Sequence, residues 1–135
     1  MDDSVRTSAV EQRLTASSDT SEIASLRRRV AEIARNHGAA EQIVGDLELA
    51  VSELATNVAQ HADTDSIGVV VRCGVDRWTI EVDDADGLET LSDTALPGPD
   101  ALSGRGLFIV QSVMDEVELI DDDGHRRLRC SKLVS

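Results

Sequence analysis

The sequence predicts an α+β fold, a two-layer α/β sandwich in which helices lie on one face of a mainly antiparallel sheet. Three observations support this class. Strand-like alternation of apolar and polar residues occurs near the start, in the middle and at the end of the chain. Two long stretches with helical spacing follow the first strand, and the later strands come in pairs joined by short turns. The predicted order is strand, helix, helix, strand, strand, loop, helix, strand, strand.

The first strand and the first helix are each predicted by a local pattern. Alternation over residues 10–16 predicts a strand with one buried face. Asp19, followed three residues later by Glu22, predicts a capping box at a helix start. Apolar residues continue at helical spacing over 23–37, and Gly38 supplies the left-handed residue that ends many helices.

The second helix is predicted over about residues 40–62. Four of its apolar residues form one stripe at helical spacing: Leu47, Val51, Leu54 and Val58. Two alternating segments follow, over 66–73 and 77–84. The short link Gly74-Val75-Asp76 between them predicts a hairpin.

The last part of the chain is predicted to contain a functional loop, a short helix and a second hairpin. Residues 88–103 have no clear period, and a loop this long in a compact domain is usually functional or mobile. The stretch over 104–113 predicts the start of a short apolar helix. Two alternating segments follow, and Asp123-Gly124 lies between them, where a tight hairpin turn needs such residues.

Length and charge limit the classes of function. A chain of 135 residues suits one domain, and we expect residues 1–8 to be a disordered tail and residues 9–135 to form the domain. The formal net charge of -13 argues against nucleic-acid binding, which needs clustered Lys and Arg. An acidic surface favours a basic or amphipathic protein partner, or simply keeps the chain soluble.

We also expect a soluble, cytoplasmic protein. No apolar run approaches the roughly 20 residues that a membrane span needs, and the first residues lack the apolar core of a signal peptide. Cys73 and Cys130 lie in separate apolar segments, and we expect them to be reduced core thiols rather than a disulfide.

Glu53 and Asn57 place a carboxylate and an amide one turn apart on the second helix, beside its apolar stripe. We expect both at the edge of the core. There the carboxylate could accept a proton, and the amide oxygen could ligate a hard cation such as Mg²⁺. Taken alone the pattern is weak, and a solvated glutamate with a helix-surface asparagine explains it more simply.

Two further features follow the middle strands. Alternation brings Asp84 to the buried face of its strand, where it could accept hydrogen bonds from the turn 85–87 or from an exocyclic amine such as that of adenine. Gly104 and Gly106 stand directly before the short helix. They leave backbone N–H groups open to an anion, or they form an ordinary glycine-bearing loop.

These features occur in one order: E-x-x-x-N on a helix, Asp at a strand end, a long loop, and G-x-G before a helix. In that order the sequence resembles the GHKL (Bergerat-fold) ATPases, which share an N-box, a D-x-G motif, an ATP lid and a G-x-G motif. In more detail it is similar to the anti-sigma factor serine kinases of the RsbW and SpoIIAB type. The likeness covers about residues 10–134 and is carried mostly by LELAVSELATNVAQHA and SGRGLFIVQSVMDEVEL.

The resemblance implies a role for each matching residue. Asn57 matches the N-box asparagine that ligates the Mg²⁺ of bound ATP, and Glu53 matches the acid proposed as general base for transfer to a hydroxyl. Asp84 matches the aspartate that pairs with the adenine amino group. Arg27 is the best match to an arginine of the first helix that helps to bind partners, although a solvated helix face also explains the run Arg27-Arg28-Arg29.

The two glycine motifs supply the other nucleotide-binding candidates. Gly104 and Gly106 match the glycines that let the lid close over the phosphates, and Arg105 and Leu107 belong to the same motif. The D-x-G motif reads Asp84-Ala85-Asp86, so its glycine is missing, and Gly87 directly after it completes the set.

The function implied by the resemblance is that of an ATP-dependent serine kinase and anti-sigma factor. Such a protein phosphorylates an anti-anti-sigma (STAS) partner, sequesters a sigma factor, uses ATP and Mg²⁺, and is commonly a homodimer. The missing glycine at Asp86 keeps a second hypothesis open, a regulatory binding module of the same fold that sequesters partners without phosphotransfer. A fragment of a two-component histidine kinase is disfavoured by Glu53.

Overall fold

The computed structural model describes residues 10–17, 19–61, 66–83, 109–122 and 125–134. The elements in these ranges are β1 (Val10–Ser17), α1 (Thr20–Asn36), α2 (Glu41–His61), β2 (Ser66–Cys73), β3 (Arg77–Val82), β4 (Glu116–Asp122) and β5 (His125–Leu133). A further helical segment spans residues 109–113. The predicted order of these elements is confirmed. The predicted tail over 1–8 and the loop over 88–103 lie outside the described residues.

The five strands form one sheet in the order β1-β2-β3-β5-β4. Each strand is antiparallel to its neighbours, and the two predicted hairpins are the β2–β3 and β4–β5 pairs. In the middle of the sheet, Ile80 of β3 pairs with Val71 on one side and with Cys130 on the other. The predicted α+β class with a mainly antiparallel sheet is therefore confirmed.

The core lies between the sheet and the two helices, which pack against each other over one sheet face. The predicted apolar stripe of α2 is fully buried. It shares one cluster with the alternate residues of the central strands: Ile67, Val69, Val71, Trp78, Ile80 and Val82. Burial of these side chains supplies the main favourable free energy of folding. Neither helix described here is long and apolar enough to cross a membrane.

Both ends of α1 are fixed by local contacts. The Asp19 carboxylate accepts hydrogen bonds from the backbone N–H of Ser21 at 2.9 Å and from its hydroxyl at 3.0 Å, and these bonds lower the pKa of Asp19. The Asp19 carboxylate thus accepts from Ser21 and not from the Glu22 N–H. The Asp19 N–H donates to Ser17 Oγ at 3.3 Å and not to Glu22. The predicted helix start is right, but the predicted capping box is wrong in both hydrogen bonds. At the other end Gly38 has a φ of 82°, which is the predicted left-handed stop.

The opposite face of the sheet carries a buried ionic cluster that the sequence did not predict. Glu81 of β3 is only 2% exposed. Its Oε2 accepts hydrogen bonds from Arg72 Nη1 at 2.6 Å and Arg129 Nε at 2.8 Å, and Arg127 Nη1 lies 3.6 Å from its Oε1. Burial alone would raise the pKa of Glu81, but the hydrogen bonds and charges of Arg72 and Arg129 outweigh it, so the pKa lies below its ordinary value.

The two cysteines are free thiols, as predicted. Cys130 is fully buried, and burial raises its pKa to about 12. Cys73 is half-buried, and burial raises its pKa as well. Because the thiolate is the reactive form, neither side chain has the character of a nucleophile.

Candidate functional site

One side of α2 carries polar residues next to the apolar stripe. Asp46, Ala50, Glu53 and Asn57 follow one another at helical spacing and therefore lie on the same side of the helix. Ala50 is fully buried, Asp46 and Glu53 are half-buried, and Asn57 is 1% exposed. We call the three polar residues among them, Asp46, Glu53 and Asn57, the α2 polar stripe.

Asn57 is the most unusual member of the α2 polar stripe. Its Oδ1 and Nδ2 are both buried, and neither has a hydrogen-bond partner among the described residues. An amide left unpaired in the interior costs roughly 1–3 kcal/mol, so such groups normally find a partner. The prediction that Asn57 lies at the edge of the core is therefore wrong, and a helix-surface asparagine is excluded. Glu53, one turn earlier, is half-buried as expected.

The Asn57 amide, which has no partner among the described residues, offers an acceptor, Oδ1, and a donor, Nδ2, to a bound ligand. An oxygen such as Oδ1 suits a hard cation like Mg²⁺, which takes few protein ligands and shares the rest of its shell with water and substrate phosphates. Within the described ranges, no cluster of three or more His, Cys, Asp or Glu side chains could hold a metal ion.

The direction of α2 brings Asn57 toward the far end of β3. The ring of His37, shortly before α2, lies 6.4 Å from the ring of Trp78, near the start of β3. Asp46 contacts Lys132, which pairs with Trp78 across the sheet. From Asp46 the helix rises about 16 Å to Asn57, and β3 runs about 13 Å from Trp78 to its last residue. Since α2 packs on β3, we infer that Asn57 lies toward the end of the sheet at which β3 stops.

That end of β3 leads directly to Asp84. The Asp83 N–H donates to the Gly68 carbonyl at 2.8 Å, so pairing with β2 continues one residue beyond the strand. A Cβ at Gly68 would lie 3.2 Å from Asp83 Oδ2, which is a tight approach. The other predicted nucleotide-binding residues lie outside the described residues, and their roles stay predictions: Asp84, Gly87, Gly104, Arg105, Gly106 and Leu107.

The segment that follows the G-x-G motif is anchored on β5. Asp115 donates its N–H to the Ser131 carbonyl at 2.9 Å, and its Oδ2 accepts the Leu133 N–H at 2.6 Å. Val110 of the helical segment is fully buried. The described part of this segment therefore has a fixed position relative to β5.

Lys132 connects this segment with the α2 polar stripe. Its Nζ donates to the Val113 carbonyl at 2.7 Å and lies 3.0 Å from Asp46 Oδ2. The sequence reasoning missed both Lys132 and Asp46. One signal was present, because Asp46 precedes Glu53 by about two turns and so shares its side of the helix.

Arg27 lies on α1 and outside the α2 polar stripe. Its side chain is 51% exposed, and its Nε is 4.0 Å from Glu48 Oε2 of α2. A cleft of about 550 Å³ lies along α1 and reaches α2, and its lining is mostly charged: Ser25, Arg28, Arg29, Glu32, Arg35 and Glu48. Exposure of Arg27-Arg28-Arg29 agrees with a partner surface and equally with a solvated helix face.

The sequence matches the family described as the histidine kinase-like ATPase domain over residues 16–132. The match covers most of the chain, and the protein belongs to this family. The resemblance to GHKL ATPases inferred from the motifs is thereby confirmed.

Individual relatives carry the name serine-protein kinase RsbW. The protein from Bacillus cereus strain G9842 is 26% identical over 115 residues, which cover 76% of this chain and 72% of the relative. The protein from B. cereus strain AH187 is 29% identical with the same coverage. Among solved structures, the RsbU and RsbW domains of a Mycobacterium tuberculosis protein match with a TM-score of 0.68 and 17% identity. That match covers 92% of this chain and 32% of the larger protein, and it confirms the fold.

Proposed function

We propose that this protein is an ATP-dependent serine kinase that also acts as an anti-sigma factor. The observation that carries the proposal is the buried amide of Asn57, which has no partner among the described residues and lies one turn from Glu53 in a chain of the ATPase family. A hydroxyl acceptor is supported by Glu53 and by the name of the relatives, serine-protein kinase.

The nucleotide is proposed to bind between the α2 polar stripe and the residues that follow β3. Asn57 Oδ1 would ligate Mg²⁺, and Asp84 would accept a hydrogen bond from the adenine amino group. Gly104, Arg105, Gly106 and Leu107 would offer backbone N–H groups to the phosphates. When bound, Mg-ATP supplies the phosphoryl group, and the metal offsets its charge.

Glu53 is proposed as the general base. Its half-buried position one turn from Asn57 leaves the carboxylate next to the proposed phosphates yet open to a protein substrate. It would accept the proton of a serine hydroxyl as the serine oxygen bonds to the γ-phosphorus and ADP leaves. A positioned base of this kind contributes about 10²–10⁴-fold to the rate.

The proposed partners are an anti-anti-sigma (STAS) protein as substrate and a sigma factor as the sequestered protein. The exposed arginines at Arg27 and along the neighbouring cleft offer cationic contacts on a chain whose net charge is -13. We expect a cytoplasmic homodimer that contacts neither nucleic acid nor membrane.

Asp86 favours a second candidate function. It stands where the D-x-G motif has glycine, so it adds a side chain and a carboxylate close to Asp84. A negative charge there disfavours a polyanionic ligand. The second candidate is therefore a regulatory module that sequesters its partners without phosphotransfer.

One set of variants separates ATP binding from chemistry. Mg-ATP affinity is measured by titration calorimetry, and phosphotransfer by labelled ATP with purified STAS proteins as candidate substrates. Glu53→Gln should bind Mg-ATP like the wild type but lose about 10²–10⁴-fold in rate. Asn57→Ala should lose most Mg²⁺-dependent affinity and stay folded, because the substitution breaks no hydrogen bond to any described residue.

Ser52→Ala is the matched control, since it lies on α2 but outside the polar stripe and should change neither quantity. Wild-type binding of Mg-ATP without phosphotransfer would favour the sequestering module. A wild-type protein that binds no Mg-ATP at all would overturn the proposed kinase and would leave the sequestering module as the remaining candidate.

A further inference from the structure

We infer that Lys132 is a positioning residue for the nucleotide site. It fixes residues 109–115, which follow the G-x-G motif, against the α2 polar stripe that carries Glu53 and Asn57. Its effect on ATP rests on the function proposed above, whereas its mechanical role can be tested without nucleotide.

The Lys132 side chain makes two strong contacts on two different elements. Nζ donates to the Val113 carbonyl at 2.7 Å and lies 3.0 Å from Asp46 Oδ2. The side chains of Lys132 and Asp46 are only 21% and 19% exposed. Salt therefore screens this ion pair less than a pair on the open surface.

Val113 is a suitable place for a cation. It lies at the end of the helical segment 109–113, and the last carbonyls of a helix lack partners within the helix. A positive charge at the C-terminal end of a helix is also stabilised by the aligned peptide dipoles. Lys132 therefore supplies a hydrogen bond to the Val113 carbonyl, and this bond also holds the segment 109–115 in place.

The link to α2 is what makes the contact relevant to the site. The two hydrogen bonds of Asp115 fix the segment to β5, and the Lys132–Asp46 ion pair adds the connection to α2. Asp46 lies about 10 Å along the helix from Glu53, so Lys132 acts on the site through a rigid helix and not by contact with a ligand. A displacement of about 1 Å between site elements is enough to impair binding or catalysis.

The first test measures Mg-ATP affinity by calorimetry. Lys132→Met keeps a side chain of similar length but removes its charge, and it should raise the Kd for Mg-ATP about tenfold. Lys132→Arg should recover most of that loss. If Lys132→Met folds poorly because Asp46 is left unpaired, the double variant Asp46→Asn/Lys132→Met removes that carboxylate and should show the same weakened affinity.

Arg77→Met is the matched control. Arg77 Nη1 contacts Glu116 Oε1 at 3.0 Å, so the variant also breaks an ion pair between strands. Among the described residues, Arg77 forms no hydrogen bond or ion pair with α2 or with the segment 109–115, so the Mg-ATP affinity of Arg77→Met should equal that of the wild type.

The second test is hydrogen exchange without nucleotide. The Met114 N–H, bonded to the Val110 carbonyl at 2.9 Å, should exchange faster in Lys132→Met, whereas amides in the middle of α1 should not change. Wild-type affinity in Lys132→Met would overturn the positioning role, and so would weakened affinity without faster exchange at Met114. If the wild type binds no Mg-ATP, the proposed function fails on its own. Hydrogen exchange then tests whether Lys132 holds the segment 109–115 in place. An exchange rate at the Met114 N–H that is the same in Lys132→Met and in the wild type overturns that role.

Discussion

Glu81 and Asn57 are the two most deeply buried polar side chains described, at 2% and 1% exposure, and their surroundings are opposite. Three arginines lie around Glu81, whereas the amide of Asn57 has no described partner. A satisfied buried network stabilises a fold, and an unsatisfied group calls for a ligand or a partner. Burial alone therefore does not mark a candidate site residue, whereas burial without a partner among the described residues does.

Glu81→Gln should destabilise the protein and change its response to acid. The amide removes the carboxylate that pairs with Arg72 and Arg129, and among the described residues Arg72 keeps only its more exposed partner Glu11. We expect a loss of about 1–3 kcal/mol at neutral pH. Because the folded-state pKa of Glu81 lies below the ordinary value of 4.5, its stabilisation is complete above that value. It is lost as the pH falls through the lower, folded-state pKa. Urea unfolding from about pH 7 to about pH 3 measures both effects.

The comparison with Glu118→Gln controls for the loss of any carboxylate. Glu118 is exposed on β4, opposite Arg129, and its variant should stay within about 0.5 kcal/mol of the wild type. The difference between wild type and Glu81→Gln should shrink in acid. A difference that stays constant down to about pH 3 would mean that packing and not charge is lost.

Some residue-level features could not be read from the sequence. A glutamate on the outer face of a strand is solvated by default, and Glu81 is buried only because arginines of β2 and β5 lie over it. Both strands are neighbours of β3 in the sheet, but only β2 is also its neighbour in the sequence. The same holds for Asp46 and Lys132, which belong to distant parts of the chain. Asn57 was predicted as a site residue from its spacing to Glu53 and from the family resemblance, but spacing does not report depth.

At the scale of elements, two glycines should respond in opposite ways to the same substitution. A Cβ built at Gly38 or at Gly45 meets no atom within 4 Å, so neither change causes a clash. Gly38 has a φ of 82°, and Gly38→Ala should cost about 1 kcal/mol of unfolding free energy. Gly45 lies inside α2, where Gly45→Ala should add about 0.5–1 kcal/mol.

Urea denaturation of the two variants measures these changes, and each serves as the control for the other. A stabilised Gly38→Ala would show that the turn between α1 and α2 relaxes to a right-handed conformation. A destabilised Gly45→Ala would show that Gly45 contacts a part of the protein outside the described residues.

The elements themselves were largely predictable, because their signals are local. Alternation defined β2 and β3, the stripe from Leu47 to Val58 defined α2, and Gly38 marked the end of α1. The capping pattern at Asp19 was right about the position but wrong about both partners, since Ser21 and Ser17 take the two hydrogen bonds of the predicted capping box. Local chemistry thus defines where a helix starts better than it defines each hydrogen bond there.

At the scale of the whole molecule, excess negative charge should oppose folding. The chain has 26 acidic and 13 basic side chains, and self-repulsion of this size destabilises a compact state. Moderate NaCl should therefore raise the melting temperature at neutral pH, because salt screens the repulsion. The increase should vanish near the isoelectric point, about pH 4.4. A melting temperature that falls with salt would mean that the exposed ion pairs contribute more than the repulsion.

The strand order β1-β2-β3-β5-β4 also determines how the chain can reach its native state. The β2–β3 and β4–β5 pairs join neighbours in sequence, whereas the β1–β2 and β3–β5 pairs close long loops. Loops of this kind make β-rich domains fold slowly, typically in milliseconds to seconds. Trp78, the single tryptophan, pairs with Cys73 inside one hairpin and with Lys132 across the later junction. Its fluorescence should therefore respond both to closure of the β2–β3 hairpin and to the meeting of the two halves of the sheet, and two separate kinetic phases would show that these events occur at different times.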